Sequence, residues 1–233
     1  MAFSPSLLTS LANLEATGLA ALLSRAYHLA RLAASWIPFA RANTVDAVRA
    51  RLYPFLAAIR NDPSTCALPV AAAGFCWGGY WAFQLAADPP VEADDGAGEE
   101  GEGKEGKERK EGRTKQKHVP LVDAVFTAHP SNMRVPEDVE AVRLPLSVAA
   151  AEFDARFPRE QVEIARGILE RKVREDEEGA KHEVVWYEGC HHGWAIRGNK
   201  ENEVEGRKGL EAEEQALMWF EARLGEVRGR SAE

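Results

Sequence analysis

Cysteine is scarce in this chain of 233 residues: only Cys66, Cys76 and Cys190. The number is odd and the spacing fits no metal motif, which excludes a disulfide scaffold and a zinc module. Free thiols imply a reducing compartment, with the cytoplasm as the expected location. Long uncharged apolar runs are missing too. The Leu-rich start is broken by Glu15, Arg25, His28 and Arg31, so no membrane span is expected. No basic segment precedes it, which argues against a secretory signal. The basic, Ser/Leu/Ala-rich residues 1–41 leave a mitochondrial presequence as the lesser alternative. Positive charge is in deficit: 29 Lys and Arg against 37 Asp and Glu give a net charge of −8. Such a surface suits neither nucleic acid nor anionic lipid. There is no internal repeat, and residues 1–67 contain no convincing strand.

The positive signals begin at Leu68. The apolar run Leu68–Ala73 leads into Gly74-Phe75-Cys76-Trp77-Gly78-Gly79. This pattern predicts a strand, a sharp turn and a helix start with a thiol at the apex. A nucleophile there is pushed clear of the backbone and sits beside free N–H groups that hold an oxyanion. Gly74 and Gly78 are expected where strand and helix crowd each other, each too close for a Cβ. The following helix, Gly79 to Ala87, is read with Tyr80, Phe83 and Ala87 on one face. Its N-terminal dipole favours a Cys76 thiolate. The competing reading is a buried cysteine without chemistry.

A thiol needs a base, and the base needs an orienting acid. Leu144–Ala151 reads as a strand and leads into Glu152-Phe153-Asp154. Asp154 lies just past its end, although Asp also suits a cap for the helix expected near Pro158. Glu152 is the competing acid, still on the strand. A further strand, His182–Tyr187, ends in Glu188-Gly189-Cys190-His191-His192-Gly193-Trp194. His192 is preferred to His191 as the base, because Gly193 allows a tight turn that frees its ring. The order nucleophile, acid, histidine, each at a strand end, is that of the α/β-hydrolase fold. A glutamine amidotransferase also uses an elbow Cys, but its acid would stand two residues after the histidine, where this chain has Trp194.

These motifs resemble the dienelactone hydrolase family, in particular its fungal-type members. The resemblance rests on Gly74–Gly79, on Phe126-Thr127-Ala128-His129-Pro130-Ser131, on Pro145–Asp154 with Phe157-Pro158, and on Tyr187–Gly198, in family order. It implies an α/β fold, a mostly parallel sheet flanked by helices. It implies a triad of Cys76, His192 and Asp154, and hydrolysis of a small ester or lactone, in the type case dienelactone, without metal or cofactor. The Trp77 backbone N–H is the expected oxyanion donor. Arg197 is a candidate clamp for a substrate carboxylate. His129, after the strand Val122–Ala128, is a candidate pocket residue, although Pro130 and Ser131 also suit a plain turn. The expected assembly is a monomer or homodimer.

Two stretches depart from the pattern. Residues 1–67 read as two helices, about Ser6 to Ala34 and Thr44 to Ile59, the second capped by Asn43 or Thr44. The family's early strands are therefore expected to be absent, leaving an N-terminally incomplete fold. Residues 93–117 hold 15 charged residues and six glycines, which predicts a disordered charged insertion. One domain, 1–233, is expected, with 1–42 as a helical segment and Glu205–Leu224 as the closing helix, packed on the sheet with Leu210, Leu217, Trp219 or Phe220 and Leu224 as its apolar residues. Two alternatives stay open: a catalytically impaired relative acting as a binding or scaffold protein, and a thiol redox protein built on Cys76 and Cys190.

Overall fold

The structure, a computed structural model, describes residues 19–88, 119–175, 181–197 and 202–231. The charged insertion and the first part of the expected Leu-rich helix lie outside them. The chain divides into two compact units, Met1–Phe55 and Leu56–Glu233.

The first unit contains α1 (Leu19–Ala42) and most of α2 (Val45–Asn61). Thr44 caps α2: its hydroxyl oxygen accepts the Ala47 N–H at 3.3 Å. The helix α1 continues past its expected end at Ala34, through Pro38 to Ala42. The Asn43 side chain donates to the Phe39 carbonyl at 2.8 Å, closing its last turn.

The second unit is an α/β fold. Its strands are β1 (Ala71–Phe75), β2 (Ala124–Ala128), β3 (Leu146–Phe153) and β4 (His182–His191). Between and after them run α3 (Trp77–Ala86), α4 (Glu137–Glu140), α5 (Arg159–Arg174), α6 (Trp194–Arg197) and α7 (Glu203–Ser231). The four strands lie in the order β1-β2-β3-β4, each pair parallel. Parallel strands need covered faces, which is why β2 and β3 are apolar at nearly every position. Phe126 and Ala128 of β2, with Ala149 and Ala151 of β3, join Trp219 and Ala212 of α7 in one buried cluster. The alternate residue Thr127 faces α3, where it meets Gly79. Near-buried Arg60 sets the sheet's N-terminal end. It pairs with Asp123 at 2.7 Å, and the same carboxylate oxygen accepts the Val70 N–H.

Two packing expectations are corrected. In α3 the buried residues are Gly79, Trp81, Ala82, Phe83, Leu85 and Ala86, so the helix is covered on most of its surface rather than on a Tyr80–Phe83–Ala87 stripe. In α7, Leu210 and Leu217 are exposed, whereas Glu205, Ala212 and Trp219, spaced seven apart, are buried. The sheet side of α7 is crowded by Phe126, whose ring meets Phe220 edge-on at 6.4 Å. Small alanines fit that close approach where leucines do not.

Candidate active site

The C-terminal ends of parallel strands converge on one side of a sheet, and the candidate residues gather there. Cys76 follows β1 with φ 54 and ψ −117, a strained conformation for a residue with a Cβ. The strain is held by main-chain bonds. Cys76 N–H donates to the Ala128 carbonyl at 3.3 Å, and the Cys76 carbonyl accepts from Gly79 N–H at 2.9 Å and Ser131 N–H at 3.0 Å. Glycine is required where the elbow touches its neighbours. A Cβ on Gly74 would collide with the Gly78 carbonyl and stand 2.9 Å from the Ala82 Cβ. A Cβ on Gly79 would stand 2.6 Å from Pro130. Gly78 itself has nothing within 4 Å of a Cβ. The expected crowding at Gly78 is thus corrected to Gly79, whose neighbour comes from a distant loop.

Asp154 follows the last pair of β3 with β4, Phe153 opposite His191, just past a register irregularity between Ala151 and Phe153. It does not cap α5, whose N-cap is Pro158 without a side-chain bond. Instead Oδ1 accepts the N–H groups of Arg156 at 2.8 Å and Phe157 at 3.3 Å. Oδ2 is left for His192 Nδ1 at 2.8 Å. Burial opposes the charge on Asp154, but the bonds from His192, Arg156 and Phe157 hold its carboxyl below the usual range. Glu152, the competing acid, is taken up by the Gly189 N–H at 2.7 Å.

His192 completes the line: its Nε2 lies 3.1 Å from the Cys76 sulfur. With Nδ1 donating to Asp154, Nε2 is the free acceptor for the thiol proton. The Asp154 bond raises its pKa, burial works against that, and the sulfur raises it again. At Cys76 burial disfavours the thiolate. His192, the Trp77 backbone N–H and the Ser131 hydroxyl outweigh it and lower the thiol pKa. The two shifts move toward each other, the arrangement that favours an imidazolium–thiolate pair. His191 points away and bonds Glu205 at 3.1 Å. Gly193, at φ 98, makes the turn that separates the two rings.

His129 is fully buried, with both ring nitrogens unpartnered. Its ring meets His192 edge-on at 5.0 Å and Trp194 at 5.3 Å. Burial, then the charge of His192, push its pKa down to about 4. Arg197 folds back so that its guanidinium lies over Gly193, beside His192. Cys190 is buried in the core cluster, and burial with nearby carboxylates pushes its thiol up to about 11. That environment suppresses the thiolate a redox pair with Cys76 would use. Ser131 was missed as a site residue. Its sequence context reads as a turn, and only the folded β2 loop brings its backbone N–H to the Cys76 carbonyl, at 3.0 Å. Among the described residues, no three His, Cys, Asp or Glu side chains gather as a metal site. No described helix is long and apolar enough to cross a membrane.

The model of the dienelactone hydrolase family matches residues 114–224, a stretch that holds Asp154 and His192 and begins after Cys76. The chain is 34% identical over 100 residues to hydrolase tropI of Talaromyces stipitatus, covering 42% of this chain and 36% of that protein. The chain therefore spans little more than a third of that curated relative. A dienelactone hydrolase-like promiscuous phosphotriesterase from metagenomic libraries aligns at 18% identity and a TM-score of 0.44, over 83% of this chain and 66% of its own. A thermophilic esterase from the Planctomycetes species Thermogutta terrifontis aligns at 18% identity and a TM-score of 0.39, over 64% and 54%.

Proposed function

We propose that this chain, whose residues 114–224 match the model of the dienelactone hydrolase family, belongs to that family and hydrolyses small esters or lactones through a thioester on Cys76. One observation carries the reading: an unbroken line of short contacts, sulfur to His192 at 3.1 Å and His192 to Asp154 at 2.8 Å. Asp154 is fixed by two backbone N–H bonds, so the imidazole it orients is preset before substrate arrives.

The chemistry follows from those contacts. His192 Nε2 takes the thiol proton, and the sulfur pair forms a bond to the carbonyl carbon. The carbonyl π pair moves to oxygen, where the Trp77 backbone N–H receives it. The pair returns, the bond to the leaving oxygen breaks, and His192 delivers its proton to that oxygen. A water then repeats the sequence on the thioester, giving the acid and restoring the thiol. In a lactone the leaving oxygen stays attached to the product. Arg197 meets a substrate carboxylate, and His129 lines the pocket from behind His192. The family's type substrate, a dienelactone, carries such a carboxylate. The reaction as proposed takes place in the cytoplasm, by a monomer or homodimer.

The test compares the purified protein with Cys76→Ala on an activated aryl ester and on a dienelactone. Turnover is expected to fall on the order of 10⁴-fold or more, with an acyl adduct on Cys76 seen by mass spectrometry in the parent alone. Undiminished turnover in the variant would overturn the reading.

A further inference from the structure

We propose that α1 pairs with α1 of a second copy of this chain, antiparallel and centred on Arg31, so that the protein is a homodimer through its first unit. This goes beyond the hydrolase reading and does not depend on it. Leu22, Leu23, Leu29, Trp36 and Ile37 are 47–62% exposed. Ala26, Ala30, Ala33 and Ala40 between them are exposed as well. At 3.6 residues per turn all nine fall on one side of the helix, with Ser24, His28, Arg31 and Ser35 on the opposite side. The half-buried residues of this stretch, Arg25, His28 and Leu32, lie off the apolar face, which is therefore uncovered. With about half of each large side chain open, the face offers roughly 700 Å², close to the ~800 Å² that each partner of a stable interface buries. Apolar patches of that size mark contact sites.

The occupant follows from the spacing. The apolar residues recur every seven positions: Ala26, Ala33 and Ala40 in one row, Leu22, Leu29 and Trp36 in the next, Leu23, Ala30 and Ile37 beside them. Such a repeat is the seam of paired helices, whose side chains interlock with a partner of the same repeat. Direction follows from size. Antiparallel copies set the alanine row against the large row: Ala26 meets the partner's Trp36, Ala33 the partner's Leu29, and Ala40 the partner's Leu22. Each small residue faces a large one, which fills the seam without voids. Parallel copies would set alanine on alanine and tryptophan on tryptophan, leaving holes and crowding by turns. A shift of seven residues keeps only two of the three pairings. Pro38 sits off the seam. The Arg31 side chains of the two copies lie on opposite outer sides, farther apart than the ~8 Å screening length. A lipid surface fits less well, because the polar side carries a single arginine, and an interfacial helix needs a face rich in Lys and Arg.

The experiment is sedimentation velocity on the full chain at tens of micromolar. The parent is expected at twice the mass of one chain, and Leu29→Glu combined with Ile37→Glu at the mass of one. Both positions are exposed, so the substitutions leave the packing within each copy alone. Direction is read from disulfides formed under mild oxidation, in a Cys66→Ser background that removes the exposed native thiol. Ala30→Cys lies beside the partner's Ala30 in the antiparallel pair and is expected to crosslink. Ala26→Cys faces the partner's Trp36 and is expected to stay uncrosslinked. A parent that sediments as one chain overturns the proposal, as does a dimer that survives the double substitution. Crosslinking through Ala26→Cys and not through Ala30→Cys overturns the antiparallel arrangement. A monomeric parent that floats with phosphatidylserine vesicles gives the face to a lipid surface instead. None of these outcomes bears on turnover, so the hydrolase reading is judged separately, by Cys76→Ala.

Discussion

The loop after β2 and the loop after β4 each bring a histidine to the same small volume, ring centroids 5.0 Å apart, and the protein drives the two in opposite directions. His192 has a carboxylate on one nitrogen and a sulfur on the other, and its pKa rises. His129 has neither, lies fully buried, and is pushed down to about 4. The side chain is the same; the partners differ. A histidine becomes a base when a buried acid stabilises its charged form, and becomes an inert ring when burial is all it has. Two titratable rings in contact would repel if both were charged. Keeping His129 neutral leaves the charge to His192.

The largest expected effect comes from erasing that difference. Asp154→Asn removes the group that raises His192 and fixes its tautomer. The amide can donate where the carboxylate accepted, turning the ring the wrong way. Turnover is expected to fall on the order of 10³–10⁴-fold. The acid limb of the rate profile is expected to change as well, because the thiolate loses the imidazolium beside it. In the parent, the lowered thiol pKa places that limb below the ordinary titration of cysteine. A variant with parent-like turnover and an unmoved limb would show that the two histidines do not owe their difference to Asp154.

Much of this was legible before the fold was known, and the reasons are local. Apolar runs ending at Ala73, Ala151 and Tyr187 mark three strands, and the residue that follows each delivers its group to the same side. The choice of His192 over His191 followed from Gly193, whose φ of 98 is the backbone freedom that argument needed. The acid was chosen by counting past the strand, and the structure explains why Glu152 is unavailable: it holds Gly189. What could not be read is contact between distant loops. Gly79 is crowded by Pro130, and the Ser131 N–H reaches the Cys76 carbonyl, only because β2 lies beside β1 with Phe75 opposite Ala128. The exposed leucines of α7 fail for a related reason. A helix face is chosen by what it must fit, and Phe126 leaves room for alanine.

A second, smaller effect concerns stability. His129 stays neutral in the folded protein down to about pH 4, whereas in an unfolded chain it takes up a proton near 6.5. Between those values the unfolded state binds more protons, so stability falls as pH falls, by roughly 3 kcal/mol across the window. His192 acts with the opposite sign and elsewhere. Its raised pKa contributes stability that is full below its ordinary value and is lost as pH climbs through the raised one. Asp154, held low, keeps its contribution above its ordinary 3.8 and loses it only in stronger acid. His129→Phe keeps a ring against Trp194 and removes two unpartnered nitrogens. Urea unfolding at several pH values is expected to show a flattened slope between about 4 and 6.5, with neutral-pH stability equal or higher. A slope unchanged by the substitution would mean that His129 is not the buried neutral ring.

The smallest expected effect falls on the neighbour that the sequence ranks second to His192. His191 shares its type and its loop with His192, yet its side chain is 66% exposed and bonds Glu205 at the start of α7. The Glu205 carboxylate oxygen also accepts the His191 backbone N–H at 3.0 Å, a bond that does not need the ring. His191→Ala therefore keeps the main-chain tie and removes only an exposed pair, worth on the order of 0–1 kcal/mol. Activity is expected within about twofold of the parent and the urea midpoint nearly unmoved. A loss on the scale of Asp154→Asn would mean that the β4 loop turns over in solution and presents the other ring to Cys76, so that orientation at Gly193, rather than the partner carboxylate, decides which histidine is the base.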